Sequence, residues 1–164
     1  MVYGYPIAKK VEAGGSSEEP SRTSEAGIAL IKMFEGCELT AYVDAVGVLT
    51  IGYGHTGSDV YAGQTITFED AEELLRKDLE WFEKQVVDLI VPPLNQNEFD
   101  ATVSFTFNVG AGALKTSTFR KRINQGDNKA RCFQEEFPKW VNGNNGPLPG
   151  LVRRRDAEVE LATS

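Results

Sequence analysis

Glu35, Asp44 and Thr50 fall within one short stretch and carry the side chains that acid–base chemistry on a glycosidic oxygen requires. Glu35 follows Phe34 and precedes Gly36, at the end of an apolar-periodic segment. A helix C-terminus repels negative charge and an apolar neighbourhood disfavours ionisation, so this position suits a carboxyl that donates a proton. Asp44 and Thr50 flank Ala45-Val46-Gly47 in what reads as a hairpin. If that hairpin is centred near Gly47, Asp44 faces Thr50, with Cβ atoms ~4.5–5.5 Å apart. A carboxylate and a hydroxyl so placed hold one water between them. Two carboxyls in unlike environments, one donating a proton and one orienting water, are the apparatus for hydrolysing a glycosidic bond. Spacing alone, however, favours surface charge as the reason for two acids nine positions apart.

The adjoining Gly52-Tyr53-Gly54-His55-Thr56-Gly57 spells G-x-G-x-x-G. A dinucleotide site needs a helix opening on the third glycine, so that its N–H groups and dipole meet the pyrophosphate. Ser58–Thr67 contains Gly63 and β-branched residues and has no helical period, so the glycines are expected to turn and pack the backbone. His55 is the only histidine and lacks the partners a metal site requires, so it is expected to pair with a carboxylate. Cys37 and Cys132 form no metal spacing and no disulfide framework; the expectation is two unpaired thiols, with a single bridge left open. No cofactor motif is present, and neither a cofactor nor a metal is expected.

These residues must be positioned by the surrounding elements. Thr23 or Ser24 can cap a helix running to about Glu35, with Ile28, Ile31 and Phe34 on its buried side and Gly36 as the stop. Leu39–Asp44 and Val48–Tyr53 read as short strands. Thr67-Phe68-Glu69-Asp70 resembles a capping box and opens a helix to about Ile90, where Leu74, Leu75, Leu79, Phe82, Val86 and Leu89 recur at helical spacing. Asn95 with Glu98 caps the next helix, which carries Phe99, Val103, Phe105 and Phe107. Further helices are expected near 117–124, 128–137 and 150–161, with a loop at 141–150. Residues 1–22, rich in Gly, Ser, Glu and Pro, read as a flexible leader. The architecture is α+β, mostly helical with one small sheet.

The chain of 164 residues, 41% apolar, is long enough for one ordinary core. No apolar run approaches the ~20 residues of a membrane span, and the N-terminal residues lack a signal-type apolar region, so a protein made in the cytoplasm and without membrane attachment is expected. Net charge is −7, unevenly spread: residues 1–114 hold 7 basic and 18 acidic side chains, residues 115–155 hold 10 and 3. The basic stretch could attract an anionic polymer. Nucleic acid is not an expected partner, since no binding motif is present and the pI is near 4.8.

The string E-G-x-x-x-x-A-Y-x-D-x-x-G-x-x-T-I-G-Y-G-H-T, from Glu35 to Thr56, resembles the active-site signature of phage-type lysozymes, the endolysins of glycoside hydrolase family 24. The resemblance extends through PLNQNEFDATVSFTFNVGAGALKTSTFRKRINQGD at 93–127, then Trp140 and GLVRRRDAE at 150–158, and covers about residues 24–162. It implies a lysozyme-like fold of two lobes: a sheet lobe near 36–67, a linking helix near 68–90, and a helical lobe of 94–162 together with 24–35. Glu35 would be the general acid, with Asp44 and Thr50 positioning and activating the attacking water. The family inverts at the anomeric carbon, which calls for carboxyls roughly 6.5–9.5 Å apart. The implied partner is bacterial peptidoglycan, cut by a monomer at the β-1,4 bond between N-acetylmuramic acid and N-acetylglucosamine, causing lysis after release through a membrane lesion. Matching motifs place glycan contacts at Thr56, Phe107, Thr118 and Gln134. They also suggest Asp78 as the partner of His55, and ion pairs for Arg153-Arg154-Arg155. Two alternatives stay open at this point: a lytic transglycosylase, in which Asp44 and Thr50 have no purpose, and a non-catalytic wall-binding module.

Overall fold

In the computed structural model, which describes residues 18–164, α3 (Gln96–Val109) is buried on every side from Glu98 to Thr106. A helix buried all round must sit at the centre, and α1 (Glu25–Glu35), α2 (Phe68–Leu89) and α7 (Pro149–Thr163) pack against it. α4 (Ala111–Thr116), α5 (Thr118–Asn124), α6 (Lys129–Glu136) and a 3-10 turn at Phe137–Lys139 close the core around Phe105, Phe119, Phe133 and Phe137. Phe105 stacks on Phe137 at 4.2 Å between ring centres, and the other pairs meet at steep angles, the arrangement aromatic quadrupoles favour.

The helix starts agree with the capping chemistry in the sequence. Asp70 N–H donates to Thr67 Oγ1 at 3.1 Å and Thr67 N–H to Asp70 Oδ2 at 3.0 Å, and Asn95 and Glu98 exchange the same pair at 2.8 Å. The described part of the expected leader is tied down: Arg22 pairs with Glu80 and Glu83 of α2. Residues 1–17 of that leader lie outside the described residues. α4 and a two-residue hairpin, β4 (Asn142–Gly143) with β5 (Gly146–Pro147), were not foreseen; the hairpin lies in the stretch expected to be a loop.

The sheet comprises β1 (Glu38–Val43), β2 (Leu49–Gly52) and a third strand, β3 (His55–Thr56), that the alternation of residues did not reveal. Its register corrects the expected pairing. Thr50 lies opposite Tyr42, and Val43 opposite Leu49, so Asp44 does not face Thr50. The turn is centred on Val46 rather than Gly47: Asp44 N–H donates to the Val48 carbonyl at 2.9 Å, and Asp44 Oδ1 accepts from the N–H groups of Val46 and Val48, at 3.0 and 2.8 Å. A slip of two residues preserves the alternation of faces, so Asp44 and Thr50 remain on one side of the ladder as diagonal neighbours, ~7–8 Å apart.

Candidate active site

Glu35 is the last residue of α1, and both ends of that helix are fixed. At the start, buried Glu83 of α2 accepts from Thr23 N–H and Thr23 Oγ1, both at 2.8 Å. Fully buried Asp100 of α3 accepts from Ser24 N–H at 3.0 Å and from the Ser24 hydroxyl. A Cβ on Gly27 would lie 2.7–2.8 Å from the Asp100 side chain, so only glycine lets α1 come this close. At the other end Arg154 of α7 donates from Nη1 to Glu35 Oε1 at 2.5 Å. Among the described residues Glu35 Oε2 has no partner.

Arg154 is 3% exposed, and a buried guanidinium needs its donors satisfied. Its Nε bonds Glu158 at 3.2 Å, its Nη2 meets the Ser104 carbonyl at 3.2 Å, and its carbon lies 5.9 Å from the centre of the Phe34 ring. Glu158 is fully buried and also accepts from Ser104 Oγ at 2.7 Å and from Arg155 Nη2 at 3.1 Å. Burial raises the Glu158 carboxyl above its ordinary range, opposed by the two guanidinium groups. Arg155 makes the expected ion pair, with Glu158 at 2.8 Å, but fully buried over the Phe105 ring, while Arg153 is exposed. The environment of Glu35 is thus not simply the apolar one that Phe34 suggested: it contains a buried cation.

Glu35 edges two depressions. One, of about 530 Å³, is bounded by Gly36, Cys37, Glu38, Tyr42, Gly52 and Gly54. The other, of about 550 Å³, is bounded by Asn108, Leu148, Leu151 and Arg154 among others, and shares Asn108 and Leu151 with a third against Trp140 and Asn142. Together they trace a groove from the sheet past Glu35 to the β4–β5 hairpin. Asp44 and Thr50 are not among its lining residues, but Tyr42 is, and it faces Thr50 across the ladder. Thr50 is buried and its hydroxyl donates to the Val48 carbonyl at 3.1 Å. No helix follows Gly57, so the pyrophosphate reading of the glycine motif has no element to rest on; Gly52 and Gly54 adopt φ of 64° and 87° and make the turn into β3.

Residues 32–158 match the family described as phage lysozyme. The chain belongs to the phage lysozyme family. It is 44% identical over 145 residues to an endolysin of Acyrthosiphon pisum secondary endosymbiont phage 1, covering 86% of this chain and 97% of that relative. It is 43% identical to the endolysin of Bacillus phage PZA, again over 86% of this chain, but spans only 55% of that longer protein. Among solved structures, a variant of P22 lysozyme superimposes with a TM-score of 0.78 at 39% identity, covering 87% of this chain and 99% of the other.

The lysozyme places its remaining expected residues variously. Thr56 is exposed on β3, directly opposite Thr50. Phe107 is half-buried and meets Phe82 edge-on at 5.2 Å. Thr118 is exposed at the first position of α5, after the capping residue Ser117, and Gln134 is exposed on α6. None of these four lines the groove beside Glu35. His55 is buried, with Nδ1 2.8 Å from Asp78 and Nε2 3.2 Å from Asp59. Burial alone would depress its pKa, but the two carboxylates outweigh it and raise it. Cys37 and Cys132 are free, and burial is the main cause of both thiols lying above their ordinary pKa. Much of the basic excess at 115–155 is tied up locally: Arg122 binds Asp127, Glu135 and Glu136, and Lys129 binds Glu98. Asn108 is a groove residue that motif reasoning passed over, and Arg154 was expected in an ion pair whose partner was not named. Arg154 is separated from Glu35 by 119 positions, which no local pattern spans.

Proposed function

We propose that this lysozyme hydrolyses the β-1,4 bond between N-acetylmuramic acid and N-acetylglucosamine with inversion, Glu35 acting as the acid and Asp44 with Thr50 directing the water. The observation that carries this reading is the Glu35–Arg154 pair at the edge of the groove. Arg154 takes Oε1, so the proton delivered to the departing sugar oxygen is carried on Oε2. As that proton leaves, negative charge develops on a carboxyl already facing a fixed, buried cation, and no reorganisation is needed to stabilise it. Asp44 has one oxygen held by the turn N–H groups, leaving Oδ2 to accept from water. Thr50, on the same side of the ladder, supplies a hydroxyl to the same water, and attack opposite the leaving group inverts the anomeric carbon.

Among the described residues no helix is long and apolar enough to cross a membrane. We propose that the enzyme works as a monomer, without cofactor, and reaches the wall from the cytoplasm through a membrane lesion. Digestion of purified peptidoglycan with wild type and Glu35→Gln, followed by analysis of the new ends, tests the chemistry. Reducing N-acetylmuramic acid ends with the wild type, and their loss in the variant, are expected. Anhydro ends would establish transglycosylation instead, and binding without cleavage would leave only a wall-binding module.

A further inference from the structure

Beside Glu35, the groove exposes an amide whose orientation is dictated from the core. Arg155 Nη2 lies 2.8 Å from Asn108 Oδ1. A guanidinium has donors only, so it must face the amide oxygen, and the amide NH₂ is turned away from it. That NH₂ has no protein acceptor among the described residues. Asn108 is itself exposed and lines both the depression edged by Glu35 and the one against Trp140 and Asn142. Arg155 is enclosed by the core. Its guanidinium is fully buried, lies 5.0 Å from the centre of the Phe105 ring, and is paired through Nε with Glu158 at 2.8 Å. Glu158 also holds Arg154, so one buried carboxylate fixes both the cation at Glu35 and the cation at Asn108.

We propose that Asn108 is a substrate-binding residue that donates a hydrogen bond to a carbonyl oxygen of the glycan strand lying in this groove, a proposal that rests on the muramidase reading. Two donors fixed in a cleft and unpaired within the protein are suited to an acceptor that arrives with the ligand. Peptidoglycan offers carbonyl acceptors in the acetamido groups of its sugars and in the stem peptides on N-acetylmuramic acid. Its oxygen is committed to Arg155 and its amide has no proton to transfer, so Asn108 acts on binding more than on bond cleavage.

The test uses soluble, uncross-linked peptidoglycan strands with the full chain, Asn108→Ala and Asn108→Asp, following cleavage kinetics, calorimetric binding and thermal unfolding. Asn108→Asp keeps an oxygen for Arg155 but presents acceptors to the groove in place of donors. Both variants are expected to weaken strand binding and raise KM about fivefold, the worth of one neutral hydrogen bond, with the smaller part of the change in kcat. If the residue served only to satisfy Arg155, Asn108→Asp would bind strands like wild type, and that result overturns the proposal. So does unchanged binding in both variants. Repeating the measurement on strands stripped of stem peptides separates the acceptors: a loss that persists assigns the acetamido carbonyl, and one that vanishes assigns the peptide. Wild type that binds strands without cutting them would refute the muramidase reading alone, since the binding comparison still decides the role of Asn108.

Discussion

On the proposed mechanism, the acid side and the water side are built on opposite principles. Glu35 stands where α1, α3 and α7 meet, at the end of a helix clamped by buried Glu83 and Asp100 and against a guanidinium held by buried Glu158. Asp44 stands at the tip of an exposed hairpin, where Val43 and Val46 are 62% and 82% exposed and its own carboxylate makes the turn. One carboxyl is fixed by long-range charge pairs in the core, the other by two backbone N–H groups within four residues. A proton donor must keep one orientation through the reaction, and burial provides that. A water-directing carboxylate needs solvent, and an exposed turn provides that.

The comparison is broken most severely at its buried end. Glu35→Gln removes both the proton and the charge that Arg154 stabilises, and kcat on peptidoglycan is expected to fall by about 10³-fold or more. The folded state should survive, because the amide oxygen still accepts from Arg154. Arg154→Met acts on stability as well as rate. Removing Arg154 breaks one member of a buried charge network, leaving fully buried Glu158 with Arg155 and Ser104 alone, and unfolding in urea should show a loss of about 3 kcal/mol. An Arg154→Met protein as stable as wild type would show that the pair does not hold the acid side together.

The same contrast explains what the sequence could and could not disclose. Thr67–Asp70 and Asn95–Glu98 announced α2 and α3 because capping boxes are written in neighbouring residues, and the E-G-x-x-x-x-A-Y-x-D string did the same for the family. The pairing of Asp44 with Thr50 failed because the turn depends on a side-chain choice: Asp44, bonding the N–H groups of Val46 and Val48, centres it on Val46 rather than Gly47 and so sets the register. Arg154, Glu158 and the amide of Asn108 were illegible for a different reason. Their partners lie far away in the chain, and three consecutive arginines look alike until burial separates Arg153 from the other two.

At the exposed end a smaller effect is expected, confined to rate. Asp44→Asn keeps an oxygen for the N–H groups of Val46 and Val48, so the turn and the register should hold and stability should change by less than about 1 kcal/mol. The negative charge that polarises water is lost, and kcat should fall about 10²-fold. A variant that unfolds readily would mean that the charge shapes the hairpin, and the division between the two sides would need redrawing.

The smallest effect concerns what ties the sheet to α2. His55 on β3 meets Asp78 of α2 through one nitrogen and Asp59 through the other, an arrangement that requires both nitrogens protonated. Because the folded pKa of His55 is raised, its contribution to stability is fully present below the unfolded value of about 6.5 and is lost as pH rises through the folded value. Asp59 is lowered, chiefly by its hydrogen bond to His55, so its contribution is present above its unfolded value of about 3.9 and is lost as pH falls through the folded one. Between those two unfolded values both contributions are complete. Stability against urea should therefore be greatest between about pH 4 and 6.5 and decline on either side. Asp78→Asn should be less stable than wild type within that window, with the gap closing at alkaline pH. Asp59 is 55% exposed, so solvent screens it and Asp59→Asn should give the weaker version of the same profile. A gap between wild type and Asp78→Asn that stayed constant from pH 5 to pH 10 would remove the charge on His55 from the account and leave a neutral hydrogen bond holding the sheet.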